Sequence, residues 1–148
     1  MIIPVNSGRL LADEIKRSKE TGNSAALNIW WLGQSGFLIQ WNGRCLLFDP
    51  YLSDSLTKKY AGTEKPHVRM SELVIDPALL EGIDLITSSH NHTDHLDAET
   101  LLPLIKNNPS VKFIIPEANR SFVSQRLGCS ESFPVGITEN HPHQFGEF

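Results

Sequence analysis

The sequence predicts an α/β sandwich built on a mixed sheet, with antiparallel hairpins first and strand–helix alternation after them. Three observations carry this. Asn42-Gly43 stands between two apolar runs and marks a two-residue hairpin, because both central residues of such a turn need the positive φ that Asn and Gly tolerate. From Ile83 onward, short apolar runs alternate with helical ones, the usual way of joining parallel strands. The 148 residues are 40% hydrophobic and 20% charged, the composition of one globular domain large enough for a core without disulfide staples.

The elements follow in order. Residues 8–20 set Leu10, Leu11 and Ile15 among Asp13, Glu14, Lys16, Arg17 and Lys19, the pattern of a short amphipathic helix, and Thr21-Gly22-Asn23-Ser24 ends it. Strands are predicted at 29–32 and 37–41 around the turn Gly33-Gln34-Ser35-Gly36, and a third at 44–48 returns beside the second and stops at Asp49-Pro50. Trp30, Trp31 and Trp41 read as core and hairpin packing, since their strands offer no polar partners beside them. Residues 51–71 are polar and without apolar period, which predicts a long surface loop. A short helix at 77–81 ends at Gly82, and a buried strand at 83–87 follows. A helix at 98–106 is expected to start late or kink at Pro103. A strand at 111–115, a helix at 117–127 stopped by Gly128, and a strand at 133–137 complete the pattern, with no internal repeat.

Charge and cysteine usage narrow the function classes. With 17 acidic and 13 basic side chains and a net charge of -4, the chain is not built to grip phosphate backbones, so nucleic acid is not an expected partner. Cys45 and Cys129 lie far apart in neither a CxxC pair nor a metal-finger spacing, and both read as reduced thiols. The N-terminus lacks the flanks of a signal peptide, and no window approaches the ~20 apolar residues that span a bilayer. A cytoplasmic compartment and no membrane partner are the expectations.

Chemistry concentrates in one segment. His90, His92, Asp94 and His95 fall within six residues, directly after an apolar strand and before a helix, at the edge where α/β folds place their sites. If the chain stays extended, alternation puts His90, His92 and Asp94 on a common side, and a turn at Asp94-His95 lets the last two reach a neighbouring point. A single histidine would read as a solvated loop residue, but imidazoles with a carboxylate at this density suit a divalent metal, one ion or two, with zinc or manganese first. The contiguous His90-Asn91-His92 does not make a nuclease of the His-Asn-His type, whose residues are spread across a ββα unit.

The run His90-Asn91-His92-Thr93-Asp94-His95 resembles the HxHxDH motif of the metallo-β-lactamase fold superfamily. Trp30-Trp31-Leu32-Gly33-Gln34-Ser35-Gly36-Phe37, Phe48-Asp49-Pro50 and Val74-Ile75-Asp76-Pro77 are similar to the branch of L-ascorbate-6-phosphate lactonases and related metal-dependent hydrolases, a likeness that runs from about residue 28 to about residue 137. The resemblance implies an αββα sandwich of which this chain holds the first half, as one incomplete domain. It implies His90 and His92 on a first metal, and Asp94 and His95 on a second. It gives Asp94 a catalytic role in orienting the nucleophilic water or protonating the leaving group, and it places Asp49 behind a ligand or water as the group that orients it.

The same resemblance leaves ligands to be found after residue 148, and His141-Pro142-His143 reads as a frayed end rather than as their substitute. A sheet meant to be covered by a second half leaves an apolar face and an edge open, so the chain is expected to form a homo-oligomer, to associate with a separate C-terminal half, or to be a fragment of a longer protein. His67, in the long loop, is a candidate substrate contact, and Lys65 and Arg69 beside it could meet an anionic group of a small-molecule substrate. Two functions stand. The first is a metal-dependent hydrolase using a metal-bound hydroxide on a lactone, ester, amide or phosphodiester, and the second a catalytically incomplete metal-binding module that needs a second half or partner.

Overall fold

The computed structural model describes residues 1–23 and 25–146. Ser24, which the sequence assigns to the helix-ending cluster, lies outside them. Six strands, β1 (Asn28–Trp31), β2 (Phe37–Trp41), β3 (Arg44–Phe48), β4 (Leu85–Thr87), β5 (Lys112–Pro116) and β6 (Val135–Ile137), form one sheet in the order of the chain. β1, β2 and β3 pair antiparallel, and β3 through β6 pair parallel. The hairpin between β2 and β3 turns on Asn42 and Gly43 at φ 47° and 73°, the left-handed pair that the dipeptide predicts. This is the mixed sheet of a metallo-β-lactamase-like fold.

Strand alternation separates two faces. Leu38, Cys45, Leu47, Ile86, Phe113 and Ile115 point to the face covered by helices α1 (Gly8–Thr21), α3 (Ala98–Asn107) and α4 (Arg120–Leu127), where they meet Leu11, Ile15, Leu101, Leu104, Val123 and Leu127 in one core. The opposite face carries Ile29, Trp31, Phe37, Phe48 and Ile137, all exposed. This face is apolar and open except where the last described residues cross it. Residues 138–146 lie back over part of it and, with Leu46, Leu85 and Ile114, border an open groove of about 560 Å³ lined by His141, His143 and Phe145.

Several elements depart from the sequence reading for local reasons. The stretch after Asp49 is a surface loop only from Ala61 onward: Tyr51 and Leu52 are buried, and helix α2 (Ser55–Tyr60) follows them, too short to show a period and with Leu56 its one buried residue. The turns at Pro77–Leu79 and Glu117–Asn119 are 3₁₀, the second leading into α4, which Gly128 ends at φ 62°. α3 neither starts late nor breaks at Pro103, because Asp97 caps its first turn through the Thr100 N–H at 3.0 Å and its buried face holds. The tryptophans do find polar partners. The Trp30 indole donates to Glu14 on α1 at 2.9 Å, and that of Trp31 to the Gln34 carbonyl at 3.0 Å.

Asp84 knots the far end of the sheet. Burial raises its pKa, but the Cys45 N–H at 2.9 Å, Arg44 at 2.9 Å and Lys19 at 3.1 Å more than offset this and hold the carboxyl below its ordinary value. A depressed carboxyl contributes stability that is complete above its unfolded pKa of about 3.9 and is lost as pH falls through the lower folded value. Asp84→Asn is thus expected to cost about 1–2 kcal/mol at pH 7, since the ion pairs are screened by water, and the gap from the parent should narrow below about pH 4 in acid-unfolding curves.

Candidate metal centre

The site forms at the C-terminal ends of β3 and β4. Asp49 leaves β3 with φ 43°, a left-handed backbone that Asp tolerates better than most residues and that turns its carboxylate across to β4. There the carboxylate is saturated. One oxygen accepts from Thr87 Oγ1 at 2.8 Å and from the Ser89 N–H at 2.9 Å; the other accepts from the Ser89 hydroxyl and from His95 Nδ1 at 2.7 Å. Four donors fill the roughly four lone-pair positions of a carboxylate. Burial works to raise the Asp49 pKa, yet the bonds from Ser89, His95 and Thr87 outweigh it and hold the group below its ordinary value.

The same accounting assigns the imidazole tautomers. His95 donates Nδ1–H to Asp49, so its Nε2 carries the lone pair. Ser89 spends its single proton on Asp49, so at 3.1 Å its oxygen accepts from His90 Nδ1–H, which in the neutral imidazole leaves the lone pair on Nε2. The ring centroids of His90 and His95 lie 3.9 Å apart, and those of His90 and His92 4.7 Å apart. The Asp94 carboxylate comes to 3.6 Å from His95 Nε2. One ligand-type atom from each of Asp49, His90 and His95 lies within 4.8 Å of the other two.

Of the motif residues, His90 and His95 come together with Asp49, whereas His92 stands beside His90 and Asp94 beside His95, outside that group, and the route differs from the predicted alternation. Residues 90–96 are bends and turns rather than extended chain: the N–H groups of His95 and Leu96 both return to the His92 carbonyl, at 3.0 and 2.8 Å, which folds His95 onto His90. Ser35, from the turn after β1, places its hydroxyl 3.1 Å from the carbonyls of both Asp49 and Asp94 and ties strand to loop. His67 stands apart, edge-on to the Tyr51 ring at 6.2 Å and 3.3 Å from Thr57 Oγ1. Arg69 is buried, donating to the carbonyls of Ser53 at 2.6 Å and Ser71 at 3.2 Å, so it does not reach outward to an anionic group. His141 and His143 line the groove on the open face.

The donor set suits a divalent ion. Imidazole nitrogens with a carboxylate oxygen are the ligands of zinc, manganese and iron, and in the neutral form of His90 and His95 the Nδ1 contacts leave Nε2 as the atom free to bind a metal. Arg126, on α4, was not flagged by its sequence context, although it touches this loop; an arginine on a helix ordinarily reads as a solvated face.

A family model described as a beta-lactamase superfamily domain matches residues 28–140. The chain belongs to this family. Among relatives of this beta-lactamase superfamily domain, the "N-acyl-phosphatidylethanolamine-hydrolyzing phospholipase D, mitochondrial" of Saccharomyces cerevisiae is 35% identical, over 67% of this chain and 20% of the yeast protein. The Escherichia coli "Probable L-ascorbate-6-phosphate lactonase UlaG" is 27% identical, over 74% of this chain and 35% of that one. The chain therefore spans about a fifth to a third of the length of these curated relatives. Among solved structures, CmlA, a diiron beta-hydroxylase from Streptomyces venezuelae, overlays with a TM-score of 0.49 at 24% identity, covering 75% of this chain and 20% of that one. Among the described residues, no helix is long and apolar enough to cross a membrane.

Proposed function

We propose that this chain carries the histidine-rich half of the active site of a metal-dependent hydrolase acting on a small-molecule lactone, ester, amide or phosphodiester. The observation that carries the reading is the grouping of His90 and His95 with Asp49, with His92 beside His90 and Asp94 beside His95. In this reading His90 and His92 hold one ion, Asp94 and His95 a second, with zinc or manganese the first candidates, and Asp49 fixes His95 from behind. A bound cation there supplies Lewis acidity and brings the pKa of water from 15.7 to about 7. Asp94, half exposed beside His95, is the residue placed to orient water or hand a proton to the leaving group. The relatives' names put a sugar-phosphate lactone and a phospholipid diester foremost as substrate classes.

A second reading is favoured by the open face of the sheet. With Ile29, Trp31, Phe37 and Phe48 exposed and the chain a fraction of its relatives' length, the domain is a metal-binding module that acts after a second half or another copy covers that face. Two free thiols are consistent with a reducing, cytoplasmic setting.

Elemental analysis of chain purified without chelator, paired with sedimentation velocity, tests both. About two equivalents of metal, lost in His92→Ala and Asp94→Ala together with hydrolysis, supports the enzyme; well under one equivalent in a monomer supports the module. No metal under saturating zinc or manganese rejects the centre itself.

A further inference from the structure

We propose that Arg126 is the positioning residue of the histidine loop, holding its two ends at the spacing that brings His90, His92 and His95 together. The inference rests on the reading of these residues as metal ligands. Arg126 sits in the last turn of α4, more than thirty residues beyond the motif, and its Nη1 donates to the carbonyls of Asn91 at 3.1 Å and Leu96 at 3.2 Å. One nitrogen with two hydrogens thus joins the start of the loop to its end. Its guanidinium lies over the Phe122 ring at 4.5 Å, a stack one helical turn away that fixes the planar group's direction.

The loop has reason to need this brace. Inside it, the His92 carbonyl takes the N–H groups of both His95 and Leu96, Ser88 holds the His90 carbonyl at 3.0 Å, and Ser35 holds that of Asp94. The Asn91 and Leu96 carbonyls face α4, and their bonds from Arg126 close the turn from outside. Arg126 has no bond to an imidazole or to Asp94 among the described contacts, so it acts on geometry and not on ligand chemistry. Partners bonded directly to a ligand typically change metal affinity by about 10–100-fold when removed, and a brace one step further out belongs at the lower end of that range.

The test compares Arg126→Met, which keeps the stem on Phe122 but has no donor, with Arg126→Lys, which keeps charge and donors. Zinc affinity is measured by chelator competition on the full chain, and amide exchange is followed on the metal-free chain. Expected are a loss of about 10-fold or more in affinity for Met with partial recovery for Lys, and faster exchange at the His95 and Leu96 amides with β4 and β5 unchanged. Affinity unaltered in Arg126→Met overturns the proposal, as does unaltered exchange at His95 and Leu96. Should the parent bind no zinc, the metal reading fails by itself, and the exchange comparison still decides whether Arg126 braces the loop. A global rise in exchange with affinity preserved would make Arg126 a packing residue and likewise overturn it.

Discussion

Asp49→Ala is expected to weaken divalent-metal binding by about 10–100-fold and to lower unfolding free energy by about 2–4 kcal/mol. The first effect follows from His95, which loses the acceptor that fixes both its tautomer and its ring plane. The second follows from the Thr87 hydroxyl and the N–H and O–H of Ser89, which surrender a charged acceptor in a largely buried spot. Alanine at φ 43° adds backbone strain. Asp49→Asn separates these contributions: asparagine tolerates the left-handed backbone and keeps one acceptor oxygen, so most of the stability should return while metal affinity stays low. Metal titration and denaturant unfolding of the two variants check this, and an Asp49→Ala chain that binds zinc as the parent does would remove Asp49 from the site.

The largest purely structural loss is expected at Asp97. Its Oδ2 takes the Thr100 N–H at 3.0 Å, the Thr100 hydroxyl at 2.6 Å and the Ser53 hydroxyl at 2.7 Å, and Thr100 Oγ1 in turn accepts from the Leu52 N–H at 2.9 Å. Asp97, Thr100 and Ser53 are all buried. Asp97→Ala removes the cap of α3, worth about 1 kcal/mol, and leaves two hydroxyls without their acceptor, so a total near 3 kcal/mol is expected. For a chain of this size that is a fall in Tm of roughly 6–12 °C, measurable by circular dichroism. Asp97→Asn, which retains the cap, should lose less than half as much. A fall of under about 2 °C in the alanine variant would show that the Ser53–Asp97–Thr100 network is not what holds α3 to the segment after β3.

What could be read from the residues divides by sequence distance. Asn42-Gly43 announces its turn because the two left-handed residues and their flanking strands are all local, and the closeness of His90 and His95 in the sequence points to the candidate cluster for the same reason. The parallel half of the sheet was legible from apolar runs separated by helical ones. Helix α2 was not, since six residues with one buried leucine carry no period. The burial of Arg69 and the Glu14 partner of Trp30, a tryptophan that does pack against the core as expected, are set by tertiary packing that composition does not encode. The way in which residues 90–96 fold back was hidden likewise: it depends on backbone bonds to the His92 carbonyl, which the residue types do not encode, and on Ser35 and Arg126, which lie outside the motif.

The order of the six strands has a consequence for how the molecule is made. Each strand is a neighbour of the one synthesised just before it, so the sheet can grow at a single advancing edge as the chain leaves the ribosome, without any of the six strands waiting for a distant partner. Asp49 and His95 meet once β4 docks on β3, while α4 is still to come. The ligand loop is thus formed first and braced afterwards, and the edge left advancing at β6 is the one to which any later strand would add.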